Sequence, residues 1–110
     1  MSATDRLRTD LVTAMRERDR VRVSTIRSLI SAIDNAGAGE VEKQGFDYGP
    51  KIGLGHDVDR HQVTGDDVAR IIVVERDDLA AARDEYRELG QTELAEEFER
   101  RVQIAEGYLS

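Results

Sequence analysis

The chain of 110 residues has no cysteine, no tryptophan, a single proline and only five aromatic residues. Lack of cysteine excludes a disulfide framework, a thiol nucleophile and any zinc site built on thiolates. With so few aromatics, the core has to come from Leu, Ile, Val and Ala, a composition that favours helices. No window approaches the roughly 18 uncharged apolar residues of a membrane-spanning helix, and "MSATDRLRTD" has no basic stretch followed by an apolar one. A soluble cytoplasmic protein is the expectation. At this length the chain holds one domain with one modest core.

The net charge of −7 is unevenly spread. Residues 1–36 carry seven arginines against five acids (+2), residues 37–63 three bases against five acids (−2), and residues 64–110 six bases against thirteen acids (−7). Sequence-independent binding to nucleic acid needs clustered Lys and Arg, and the C-terminal half would repel phosphate. Only the first two helices are suited to face RNA.

Those helices are legible in the spacing. Ser2 or Thr4 can cap a first helix with Leu7, Leu11, Ala14 and Met15 on one stripe, ending near Arg18. Asp19 is a fitting N-cap for a second helix running to about Ala36. On that helix Val23, Ile26, Leu29, Ile30 and Ile33 fall within an arc of about 120°, with Arg27 about 40° outside it. Arg27 therefore borders the core, where its aliphatic stem can cover apolar surface while its guanidinium stays free to pair. Two partners suit it: the acidic C-terminal half of the chain, or an external ligand.

Periodicity fails from Gly37 to Val63, where six of the nine glycines and Pro50 crowd into residues 37–55. A long, weakly ordered loop is expected, with short extended pieces around Phe46–Tyr48 and His56–His61. Within it, His56, Asp57, Asp59 and His61 form the nearest approach to a metal motif. On an extended strand, Asp57, Asp59 and His61 would share a face, but no fourth ligand is marked elsewhere. "GPKIGLG" is not a phosphate cradle, since it has no Ser or Thr after the lysine and no helix directly behind.

Order returns at Thr64, which with Asp67 forms a capping box. Val68, Ile72, Glu75, Leu79, Ala82, Tyr86 and Leu89 then make a heptad seam with one polar intruder, and Gly90 is placed to end the helix. Thr92 can cap a fourth helix with Ala95, Phe98, Val102, Ala105 and Leu109 at the same spacing. Folded as an antiparallel hairpin, the two seams face Tyr86 with Phe98, Ala82 with Val102 and Leu79 with Ala105 in one register. That register sets Glu75 opposite Tyr108 and Leu109, where the phenol could donate to the carboxylate. The remaining acids follow helical salt-bridge spacing, as in Glu96 to Arg100, and nothing demands acid–base catalysis.

The expected fold is therefore all-α: two short N-terminal helices (1–36) packed on a long αα-hairpin (64–110), with a flexible Gly-rich loop (37–63) between. "AMRERDRVRVSTIRSLISAIDNA", through Ala14, Met15, Asp19, Arg22, Ser24, Arg27, Asn35 and Ala36, resembles the N-terminal signature of the YqeY-like (GatB/YqeY domain) proteins. "VTGDDVARI", "EYRELGQTELAEEFE" and the closing Tyr108-Leu109 resemble the same family. Two positions depart from it: Gly107 replaces the usual acid, and Ser110 stands where the family has proline ahead of its tail portion.

That family is similar to the C-terminal helical region of GatB, a subunit of the glutamine-dependent tRNA amidotransferase, a carbon–nitrogen ligase. The resemblance implies a non-catalytic accessory or binding module, with no cofactor and no metal, whose partners are tRNA or an amidotransferase component. Arg20, Arg22 and Arg27 are the candidate partner-binding residues. The competing expectation is a protein–protein interaction module unrelated to RNA.

Overall fold

In a computed structural model of the protein, the described residues are 1–43 and 63–109, with side chains described for 1–37 and 63–109. They form four helices: α1 (Ala3–Glu17), α2 (Arg20–Lys43), α3 (Gly65–Glu88) and α4 (Thr92–Glu106). The expected all-α architecture is present, with α3 and α4 making the most extensive pairing and α1 and α2 packed across them. The His56–His61 motif, the Phe46–Tyr48 piece and "GPKIGLG" lie outside the described residues.

Three of the four helices begin at a side chain that caps them. Ser2 accepts from the Asp5 N–H at 3.1 Å, and Asp19 Oδ1 accepts from the Arg22 N–H at 3.2 Å. Thr64 and Asp67 form the reciprocal capping box, at 3.1 and 3.2 Å. The fourth cap differs from expectation: Thr92 is the first helical residue, and Gln91 precedes it without a side-chain capping bond.

The two interhelical turns close with the same pair of backbone bonds. After α1, Asp19 N–H donates to Ala14 C=O at 3.0 Å and Arg18 N–H to Met15 C=O at 3.2 Å. After α3, Gln91 N–H donates to Tyr86 C=O at 2.8 Å and Gly90 N–H to Arg87 C=O at 3.1 Å. Both are Schellman endings, which place one residue in the left-handed region. That residue is Gly90 in the second turn (φ +76°) and Arg18 in the first (φ +56°).

α2 continues to Lys43, past the expected end at Ala36. A helical glycine costs only about 1 kcal/mol relative to alanine, and Gly37 and Gly39 are interleaved with the helix formers Ala38 and Glu40. The glycines therefore do not force a stop.

Leu7 and Ala14 from α1, Ile26, Leu29 and Ile33 from α2, Val68 and Ile72 from α3 and Ala105 from α4 form one buried cluster. Ala95 and Val102 are buried as well, and the rings of Tyr86 and Phe98 meet at 5.2 Å, in the register read from the heptads. Met15, placed on the core stripe by spacing, is half exposed.

The ion pair that joins the two helix pairs runs opposite to the expected sign. Arginines of the hairpin reach back to groups of α1 and α2: Arg100 bonds Asp19, and Arg101 Nη1 donates to Ser24 Oγ and Thr25 Oγ1 at 2.9 and 3.2 Å. The acids Glu93 and Glu96 of α4 are exposed and Glu97 is taken up by Arg101 of its own helix, so the side chains of α4 that bond to the N-terminal pair are basic. Glu96 is thus not the partner of Arg100. The Arg100 guanidinium holds the Asp19 carboxyl below the usual carboxylate range, outweighing the opposing effect of burial.

The expected Glu75–Tyr108 bond is replaced as well. Tyr108 donates to the Asp10 carboxylate of α1, and Arg6 lies over the Tyr108 ring, 5.0 Å from its centre, while donating to Gly107 C=O at 3.0 Å. Past α4, turn bonds from the Tyr108 and Leu109 N–H groups carry the chain out of the heptad line, so the phenol reaches across to α1. Burial, and secondarily the Asp10 carboxylate, pushes the phenol well above its ordinary pKa. Glu75 is left half-buried, with its carboxyl raised by burial and by nearby Asp78.

Candidate functional site

Arginine pairing divides the molecule into two regions. Every arginine of the hairpin has a carboxylate within salt-bridge reach: Arg70 with Asp67, Arg76 with Asp77 and Glu106, Arg83 with Asp84 and Glu99, Arg87 with Asp84, Arg100 with Asp19, and Arg101 with Glu97. In the N-terminal pair, Arg8 meets Asp34 and Arg22 meets Glu17. Among the described residues, Arg6, Arg16, Arg18, Arg20 and Arg27 have no such partner, Arg6 being held instead by the Gly107 carbonyl and the Tyr108 ring.

Three of these, Arg18, Arg20 and Arg27, line one groove of about 810 Å³ between the α1–α2 turn and α4. Its geometry follows from the helix period. At about 100° per residue, Arg20, Ser24 and Arg27 lie within an arc of about 60° on α2. Arg22 falls about 200° from Arg20, on the other side. There it pairs with Glu17 at 3.6 Å and lies close enough to the Tyr108 phenol to favour its ionised form. The structure thus brings together Arg20 and Arg27 and separates Arg22 from them. The angular separation was available in the sequence, whereas Arg18 and Arg101 as groove residues depend on the turn and on the helix crossing.

Met15, Val21 and Val23 give the groove an apolar component. Arg101 and Glu97 enter it from α4. The Arg101 side chain is only 16% exposed. It is held on three sides: Nη1 by the two α2 hydroxyls, Nη2 by Glu97 Oε2 at 2.8 Å, and its planar face by the Phe98 ring at 5.2 Å. Its Nε is buried and has no hydrogen-bond partner. Thr25, almost wholly buried, donates its own hydroxyl proton to Val21 C=O at 2.8 Å, leaving its lone pairs for Arg101.

The groove is therefore a concave surface with four guanidinium groups, one carboxylate, one serine hydroxyl and an apolar component. Such a surface suits an anion with an apolar or planar portion, because Arg presents a fork to phosphate or carboxylate oxygens and a flat face for stacking. Among the described residues it contains no histidine, and its one serine, Ser24, is used in holding Arg101.

Among the described residues, no three His, Cys, Asp or Glu side chains converge in a way that would hold a metal, and no helix is long and apolar enough to cross a membrane. Comparison of the chain with protein-family models, curated proteins and solved structures finds no match.

Proposed function

We propose that this chain is a cytoplasmic, non-catalytic binding module of the YqeY-like kind, which engages tRNA in association with an amidotransferase. The observation that carries this reading is the gathering of Arg18, Arg20 and Arg27 in one groove, without described carboxylate partners, in a protein whose other arginines are mostly paired. Unneutralised guanidinium groups on a concave surface release counterions when they meet a phosphate backbone, which favours binding and makes it salt-dependent. The strongly acidic hairpin would repel the same backbone, confining contact to the groove side.

Titration of tRNA between 50 and 200 mM salt tests this. Wild-type protein should bind at low salt with a negative dependence of log K on log salt, and Arg20→Ala with Arg27→Ala should reduce that slope by about one for each phosphate left unneutralised. Arg22→Ala, which removes a charge of the same sign outside the groove, should leave the slope nearly unchanged. Equal effects of Arg22 and the groove pair, or no binding at low salt, would overturn the reading. Half-exposed Val12 and Met15 on α1 favour the second reading, a protein-interaction module unrelated to RNA. Stable co-purification of a protein without RNA binding would support it.

A further inference from the structure

We propose that Glu97 is a resident anion in the groove, occupying the guanidinium edge of Arg101 that an incoming phosphate would take, and so sets the affinity of the site. This rests on the reading of the groove as a phosphate-binding surface and names the residue that limits it. Arg101 is a mostly buried cation and needs a counter-ion where it sits. Glu97 supplies one from the preceding turn of the same helix, in the favourable order of acid first and base four residues later. Among the described residues it is also the only carboxylate lining the groove, beside Arg18, Arg20, Arg27 and Arg101.

The other holds on Arg101 do not depend on Glu97. Ser24 and Thr25 fix Nη1 from α2, and Phe98 fixes the plane. When a phosphate oxygen replaces the Glu97 oxygen at Nη2, the guanidinium therefore stays in place, already oriented for the new acceptor. Glu97 is about one-third exposed and can swing into water as it is displaced. The protein carries its own competitor, so binding in the groove is an exchange of one anion for another.

Calorimetric titration of inorganic tripolyphosphate into wild-type protein, Glu97→Gln and Glu96→Gln decides the matter. The two variants change net charge equally, but Glu96 is exposed and does not line the groove. Glutamine can still accept from Arg101, which preserves the local fold. Removing a like charge about 5 Å from the ligand should tighten binding about fourfold in Glu97→Gln, while Glu96→Gln shows less than about a twofold change at physiological salt.

The gain should also vanish when Arg101→Lys is added, because the planar fork on which a phosphate would displace the neutral amide is then absent. If Glu97→Gln binds no more tightly than wild type, or gains no more than Glu96→Gln, this inference fails while the binding reading stands. If no protein binds either tripolyphosphate or tRNA, both fail. Should Glu97→Gln lose its helical signal, Glu97→Asp, with its shorter reach to Arg101, must show the same direction of change.

Discussion

Tyr108→Phe isolates one hydroxyl that connects the two ends of the fold. The phenol donates to Asp10 of α1, 98 residues away in sequence, and both side chains are partly buried. Phenylalanine retains the ring under the Arg6 guanidinium, so the cation–π interaction persists and only the hydrogen bond is removed. A hydrogen bond to a charged acceptor is worth about 1.5–3 kcal/mol. Because water can reach the freed Asp10 carboxylate in part, a loss of about 1–2 kcal/mol is expected. For a domain of this size each kcal/mol moves Tm by about 4–8 °C, which puts the midpoint about 5–15 °C lower.

The assay is urea or thermal unfolding followed by helical circular dichroism, run as two double-mutant cycles. Tyr108→Phe with Asp10→Ala should show a coupling of about 1 kcal/mol, whereas Tyr108→Phe with Glu75→Ala should be additive within about 0.5 kcal/mol. Heptad register alone favours Glu75 as the partner, and the folded chain favours Asp10. A coupling that appears only in the Glu75 cycle, or in neither, would refute the reasoning.

Ile72→Ala, at a fully buried position in the shared core, should cost about 2–5 kcal/mol by chemical denaturation. Glu75→Gln should raise stability at neutral pH. Burial and Asp78 push that carboxyl above its ordinary value, so its contribution is most favourable below the ordinary carboxylate range and is lost as pH rises through the raised value. The advantage of Glu75→Gln over wild type in unfolding midpoint should accordingly shrink between pH 7 and pH 4. Gly90→Ala meets open space for its Cβ but keeps a φ of +76°, so a loss of about 1–2 kcal/mol from backbone conformation is expected in the same assay.

Sequence legibility followed the range of the interactions involved. The capping box at Thr64, the cap at Asp19, the seam pairing of Tyr86 with Phe98 and the turn at Gly90 all depend on residues within one helix or one hairpin, and spacing exposes them. The partners of Tyr108 and Arg100 depend on how α1 and α2 cross the hairpin, an angle that no local pattern encodes. Segment charge pointed to basic α1 and α2 docking on acids of the hairpin. Yet Glu93 and Glu96 of α4 face solvent, Glu97 is taken up by Arg101 of its own helix, and the groups of α4 that bond across the crossing are Arg100 and Arg101. In the groove, the 100° period separates Arg22 from Arg20 and Arg27 in the sequence itself. The inclusion of Arg101 requires the tertiary crossing, and that of Arg18 requires the left-handed turn.

The two Schellman endings supply a comparison within one molecule. They share a bonding pattern, but one has glycine in the left-handed position and the other has arginine, whose Cβ makes that conformation costlier by about 1 kcal/mol or more. Arg18→Gly should therefore give a sturdier protein that has lost one wall of its groove. Thermostability and ligand affinity would move in opposite directions at this single position, and a screen that selected only for heat resistance would favour discarding the arginine.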